Sequence, residues 1–129
     1  MKITGLRTFS VAADCNWVFV QVQTDEGITG LGEGTVSSKA LAVEAAIRDL
    51  ERFLVGREPR NIEGLWQEMY RYPRWKGGAV LNSAIGAIEI ALWDILGQSL
   101  QVPIYQLLGG GCRERIRLYS HVMTGETLE

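Results

Sequence analysis

Histidine is almost missing from this sequence, with His121 alone among 129 residues. One histidine cannot build a histidine metal cluster, and no nucleophile, base and acid stand together as a trio. His121 itself reads as a structural or surface strand residue, although the end of a strand is where a barrel places its chemistry. Cysteine is scarce as well. Cys15 and Cys112 lie far apart, outside any CxxC or Cys/His spacing, and read as free thiols rather than a redox or metal pair. No basic excess exists, since 13 Lys and Arg face 15 Asp and Glu for a net charge of -2, which argues against a nucleic-acid partner. No apolar run approaches the roughly 20 residues of a membrane span. The opening MKITGLRTFSV has no apolar core long enough for a secretory signal. One soluble, cytoplasmic domain without a membrane partner is the expectation.

What the chain does contain is organised by period. Ile3 to Val11 and Trp17 to Gln23 are rich in Val, Ile, Phe and Thr, and Trp17, Phe19 and Gln21 alternate with Val18, Val20 and Val22. With the turn signal at Thr24 to Gly27 leading into ITGLGEG, they predict a three-stranded antiparallel sheet. A helix follows from Ser37 or Ser38 as its cap, with Leu41, Ala45, Leu50, Phe53 and Leu54 on its apolar side and Gly56 after its end. Asn61 caps a shorter helix bearing Ile62, Leu65, Trp66 and Met69, and Pro73 with Gly77 and Gly78 break the chain before a long apolar helix. VPIYQLLGGG adds a last short helix with a glycine stop. The tail RIRLYSHV, Arg115 to Val122, has a strand pattern but no partner nearby in sequence.

Within the apolar helix AIGAIEIALWDILGQ sit two acids, Glu89 and Asp94. Five residues separate them, which sets them about 140° apart around the axis, so they do not converge on one metal or substrate atom. The helix is apolar nearly all round, with Ile85, Ile88, Ala91, Leu92, Ile95 and Leu96 on one side and Ala87, Ile90 and Trp93 on the other. Such a helix is buried, and its acids read as scaffold, each with its own hydrogen bond or ion pair.

GLGEG, Gly30 to Gly34, falls short of a dinucleotide fingerprint, because Thr35 stands where the third glycine is needed. It reads as a glycine-relaxed strand or turn. The GGG at Gly109 to Gly111 reads as a helix stop. RYPRWK, Arg71 to Lys76, interleaves three cations with Tyr72 and Trp75. The mixture suits stacking on single-stranded nucleic acid, charge-assisted bonds to a small carboxylate, or a solvated loop. Judged on its residues alone, the chain holds no complete active site.

AIGAIEIALWDILGQ followed by SLQVPIYQLLGG resembles a signature of the mandelate racemase and muconate lactonizing family of the enolase superfamily. The shared pattern is an acid at Glu89, Ala91 and Leu92, an acid at Asp94, Gly97, Pro103 and the Leu107 to Gly109 run. The MKIT opening, DEGITGLGE and the LxGR ending of the first helix fit the same family. Glu89 stands where Asp is commoner and Gln98 where Lys is usual. WKGGAVLNSAIGAIE and the short connection near Asn16 and Trp17 look most like sugar-acid dehydratases of the galactonate dehydratase type.

The resemblance implies an α+β fold: a three-stranded antiparallel sheet followed by a helical bundle, residues 1–112, forming a cap. Residues 113–129 would then be the start of a (β/α) barrel. It implies an enzyme that removes the proton alpha to a carboxylate and stabilises the enediolate with Mg. The bases and metal ligands would sit on later barrel strands, so this chain carries no catalytic and no metal residue and is expected to be inactive alone. Its contribution would be substrate contact from loops, by Asn16, Trp17, Trp75 and Lys76, with Lys76 meeting an anionic sugar acid. A homo-oligomer is expected. The alternatives are a racemase or cycloisomerase of the same family, and a non-catalytic binding or assembly module.

Overall fold

The computed structural model describes residues 1–12, 16–71 and 74–119. The strand pattern holds: β1 (Ile3–Ala12), β2 (Asn16–Thr24) and β3 (Thr29–Glu33) form an antiparallel sheet in the order β1-β2-β3. Four helices follow, α1 (Ala40–Leu54), α2 (Ile62–Arg71), α3 (Ala79–Leu100) and the single turn α4 (Ile104–Leu107). The helices cover one face of the sheet. Alternation along β2 buries Val18, Val20 and Val22 against them, and these join Val43, Ile47, Leu54, Leu65, Met69, Ile88, Leu92 and Ile95 in one core.

Helix α3 packs on β3 at a distance that leaves no room for side chains. A β-carbon on Gly30 or Gly32 would overlap the carbonyl oxygen of Ala91 or Ala87, and one on Gly34 would lie 2.7 Å from that of Ser83. The two periods mesh. Every second residue of a strand advances about 6.8 Å and every fourth of a helix about 6 Å. A glycine every second position therefore meets a small residue every fourth, and the helix backbone rests directly on the strand. GLGEG is thus a packing device, in keeping with its expected reading as relaxed strand.

One of the two acids, Asp94, belongs to this contact. Asp94 Oδ2 accepts the Leu31 backbone N–H at 2.9 Å, one turn before Gln98, whose Nε2 donates to the Thr29 carbonyl at 2.9 Å. Both bonds fall on β3, an edge strand, and satisfy backbone groups that would otherwise be open to pairing. Edge strand β1 is treated alike: Glu51 Oε1 accepts the Leu6 N–H at 2.9 Å, and Glu44 accepts the Ser10 hydroxyl. Glu89 turns to its own helix, its Oε1 accepting the Trp93 indole N–H at 3.4 Å. The scaffold reading of Glu89 and Asp94 holds.

Three expectations need correction. The first helix starts at Ala40 behind Lys39, not at a Ser37 or Ser38 cap, and Ser38 lies in the left-handed region at φ 61°. Its buried side is Val43, Ile47, Leu50 and Leu54, while Leu41 is 81% exposed. Val43, Ile47, Leu50 and Leu54 recur at steps of four, three and four residues, so the helical period itself marks this face, and Leu41 and Ala45 of the expected stripe lie more than about 100° off it. Second, α3 is 22 residues long with mean hydropathy 1.6, enough in length and composition to cross a membrane. It is instead a core helix, burying Ala84, Ile85, Ala87, Ile88, Ala91, Leu92 and Ile95. Third, residues 115–119 form no strand, having no ladder partner among the described residues. The rest of that expected strand, with His121, lies outside the described residues, as does Cys15. Cys112 is an exposed free thiol.

The link between α1 and α2 is held by charge. Arg57 grips Glu68 with two bonds of 2.6 Å, and Arg60 donates to Glu58 at 2.7 and 3.0 Å. The Arg60 guanidinium holds the Glu58 carboxyl down at about 2, and Arg57 lowers that of Glu68.

Replacing Gly32 by Ala should destabilise the chain by about 3 kcal/mol, since neither backbone can retreat without unpacking the core. Gly86→Ala, in the same family of changes but in open space within α3, should stabilise it by about 0.5–1 kcal/mol. Urea denaturation of the pair checks both signs. Asp94→Ala should cost about 1–2 kcal/mol and speed hydrogen exchange at the Leu31 amide, read residue by residue by NMR. Because the Glu58 carboxyl is depressed, its stabilisation is complete above pH 4.5 and lost as the pH falls toward 2. The melting-temperature gap between wild type and Glu58→Gln should therefore be small, as for any open pair, and should close across that window.

Candidate functional site

Where α1, the end of α2 and the start of α3 meet, they leave a cleft of about 320 Å³ beneath the loop 74–77. Its floor is apolar, with Leu50, Met69 and Ile85 all buried. Its rim carries Asp49, Arg52, Arg74, Trp75 and Lys76. A small, mostly apolar hollow with a few polar groups at the mouth is the usual form of a ligand site.

The loop is aimed by its glycines. Gly77 and Gly78 have φ of 80° and 84°, a backbone that a side chain resists, and Gly78 leads directly into α3, its carbonyl accepting the Asn82 N–H at 3.0 Å. This sharp entry leaves Trp75 standing 81% exposed beside Lys76. The charge at the rim is lopsided. Asp49 is matched by Arg52 at 3.3 Å, whose guanidinium also lies 4.9 Å over the Phe53 ring. Arg74 and Lys76 form no ion pair among the described residues. The first turn of α3 has no acid to offset its positive end. The rim therefore favours an anion.

Of the residues singled out in the sequence, the structure brings Trp75 and Lys76 to this cleft and leaves Asn16 and Trp17 outside it. Those two open β2, paired with Ala12 and Val11, and Trp17 is 43% exposed. The neighbouring Val18 N–H donates to Thr35 Oγ1 at 3.0 Å. Sequence reasoning missed Asp49, Arg52 and Tyr70 as cleft residues, because the cleft is made by three helices and a loop whose mutual packing no single helical period specifies. The signal that could have found them is the charged pair at i and i+3 flanking the buried Leu50.

Acidic and metal-binding side chains are not gathered at the cleft among its described lining residues, where Asp49 is the sole carboxylate. No group of three or more His, Cys, Asp or Glu able to hold a metal exists among the described residues, and Glu89 and Asp94 already serve Trp93 and Leu31. What the arrangement supplies is positive charge and an aromatic surface at the mouth of a hollow.

Residues 6–109 match the family model of the mandelate racemase / muconate lactonizing enzyme N-terminal domain. Curated relatives include D-galactonate dehydratase of Variovorax paradoxus, 49% identical over 122 residues, and that of Xanthomonas campestris, 50% identical over 122. The match takes in 95% of this chain but only 31% of either relative, so the chain spans about a third of their length. Among solved structures, an enolase-superfamily member from Salmonella Typhimurium superposes with TM-score 0.88 at 39% identity, covering 92% of this chain and 32% of that one. An enolase from Pantoea ananatis with bound D-gluconate and Mg gives TM-score 0.83 at 40% identity, covering 87% of this chain and 28% of its own. The three-stranded sheet with its helices is the capping domain of that superfamily, and the chain belongs to the mandelate racemase / muconate lactonizing enzyme family as its N-terminal domain.

Proposed function

We propose that this chain is the cap of a Mg-dependent acid-sugar dehydratase acting on a galactonate-like substrate. The observation that carries the reading is the near 50% identity to D-galactonate dehydratases along 95% of the chain. In this reading residues 1–112 are the capping domain and residues 113–129 begin the barrel. The reaction removes the proton alpha to the carboxylate, expels the beta hydroxyl as water, and leaves an enol that becomes a 2-keto-3-deoxy acid. The groups that move the proton and hold the metal belong to the barrel, and Mg supplies charge stabilisation there when bound. The enzyme is cytoplasmic, needs no nucleic-acid or membrane partner, and works as a homo-oligomer.

The cap contributes by closing over the barrel mouth. Its loops shut out water and select the substrate, Asn16 and Trp17 from one side and Trp75 and Lys76 from the other. Lys76 supports this role best. It is exposed on a loop set by Gly77 and Gly78, forms no ion pair among the described residues, and stands next to the exposed Trp75, an aromatic face on which a sugar ring or carbon chain can rest. A racemase or cycloisomerase of the same family would use the same cap, and the sugar-acid reading is favoured by the dehydratase relatives.

The test is the natural protein isolated through this segment. Its mass should be about three times 14.3 kDa, given that the chain matches 31% of its relatives' length. It should form a 2-keto-3-deoxy acid from D-galactonate or D-gluconate, and lose that activity to a chelator. A full-length protein that racemises or cyclises its substrates without releasing a keto acid would refute dehydration. In that full-length enzyme Lys76→Ala should lower kcat/KM for the sugar acid by about 10- to 100-fold, the size of one charge-assisted hydrogen bond. An unchanged kcat/KM would remove Lys76 from the site.

A further inference from the structure

The hollow beneath the loop 74–77 has a lining that a hydroxylated acid does not use. Leu50, Met69 and Ile85 form its buried floor, and Tyr70 and Leu81 add to the lining. Tyr70 is fixed by its stack on Trp66, one turn earlier on α2, with centroids 5.0 Å apart. At about 320 Å³ the cleft is large enough to enclose a small organic molecule. A hydroxyl laid on this floor loses its water and gains no hydrogen bond, so a polyol is disfavoured there. A hydrocarbon chain gains from the same burial.

The rim decides the other end of the ligand. Asp49, the sole carboxylate of the lining, is matched by Arg52 at 3.3 Å. Arg74 and Lys76 form no ion pair among the described residues, which leaves two positive charges on one short loop at the mouth. A single carboxylate can accept from both. A second acid group on the same molecule would be driven onto the apolar floor, a buried charge without a partner. A neutral amphiphile would leave both cations unanswered. The cleft is also built within this chain, from three helices and their own loop. Residues 108–119 leave from the far end of α3, 22 residues or about 33 Å from the cleft.

We propose that the cleft binds a small monocarboxylate with an unhydroxylated apolar body, its hydrocarbon on Leu50, Met69 and Ile85 and its carboxylate between Arg74 and Lys76. Such a molecule has no beta hydroxyl to expel, so it is a ligand and not a substrate of the dehydration proposed above. The site goes beyond that reading and stands without it, since binding needs only the cleft.

Saturation-transfer NMR tests the site, on this chain and on the natural protein isolated through it. The probes are hexanoate, 1-hexanol and acetate, with a chelator in excess so that no metal-held carboxylate is read. Hexanoate should bind saturably below about 10 mM, its terminal methyl taking more saturation than the methylene beside the carboxylate. 1-Hexanol should bind at least about tenfold more weakly for want of the charge. Acetate should bind at least about thirtyfold more weakly for want of the chain, each buried methylene being worth a factor of about four. Arg74→Gln and Lys76→Gln should each weaken hexanoate about three- to tenfold and leave 1-hexanol as it was. Leu81→Asn should weaken both probes. All three side chains are exposed, and circular dichroism melts check that each variant is folded.

Hexanoate that fails to saturate by about 10 mM overturns the proposal. Equal binding of hexanoate and 1-hexanol overturns it as well, as does hexanoate binding indifferent to the three substitutions. Hexanoate that binds this chain but not a longer natural protein is equally fatal, because the cleft is then filled by the rest of that protein. D-galactonate turnover is read in a separate assay, so the dehydratase reading and this site fail independently.

Discussion

Everything in this domain is arranged around the place where the backbone of α3 lies on the backbone of β3. Gly30, Gly32 and Gly34 leave no side chain between the two elements, and Ser83, Ala87 and Ala91 present the helix side of the same seam. Contact at that distance converts a sheet and a helix into one rigid body. Dispersion and burial then accumulate over the whole length of the seam rather than at isolated knobs. Asp94 and Gln98 fasten its far end by occupying backbone groups of Leu31 and Thr29. With α3 fixed to the sheet, its start is fixed too, and the start of α3 is where the loop carrying Trp75 and Lys76 is attached.

The parts of the fold that were legible in the sequence are those where one period dominates. The strands showed themselves because Val18, Val20 and Val22 alternate with outward residues, and α3 because it is apolar on nearly every side. The angular argument that separated Glu89 from Asp94 needed only helix geometry, and their two unrelated partners agree with it. The facing of α1 was legible but misassigned: Val43, Ile47, Leu50 and Leu54 lie on one stripe at helical spacing, and Leu41, counted with the apolar side, stands off it and is exposed. GLGEG was rejected as a phosphate loop on its spacing, but its actual purpose required knowing which helix it would meet. The matching signal was present, in the four-residue steps from Ser83 to Ala87 to Ala91, some fifty residues further on.

The candidate site divides in the same way. Trp75 and Lys76 stood out because cations, aromatics and breakers rarely gather without a reason, and the structure sets both at the rim of a cleft. Asp49, Arg52 and Tyr70 could not be assigned to that rim before the packing of α1 against α2 and α3 was known. Asn16 and Trp17 entered through family resemblance alone. The sheet puts them at the start of β2, away from the cleft.

The use made of the carboxylates defines what chemistry this domain can contribute. Asp94, Glu51 and Glu44 hold strand edges, Glu58 and Glu68 hold the link between α1 and α2, and Asp49 neutralises Arg52. A general base must be free to take a proton near neutral pH. Glu58 and Glu68, pressed downward by their arginines, are poorer bases than ordinary carboxylates. Arg74 and Lys76, in contrast, line the cleft and form no ion pair among the described residues. Among the described residues, the acids at the strand edges and between α1 and α2 are engaged in holding the fold, and the charge without an ion partner at the cleft is positive, an arrangement suited to holding an anion and not to taking a proton.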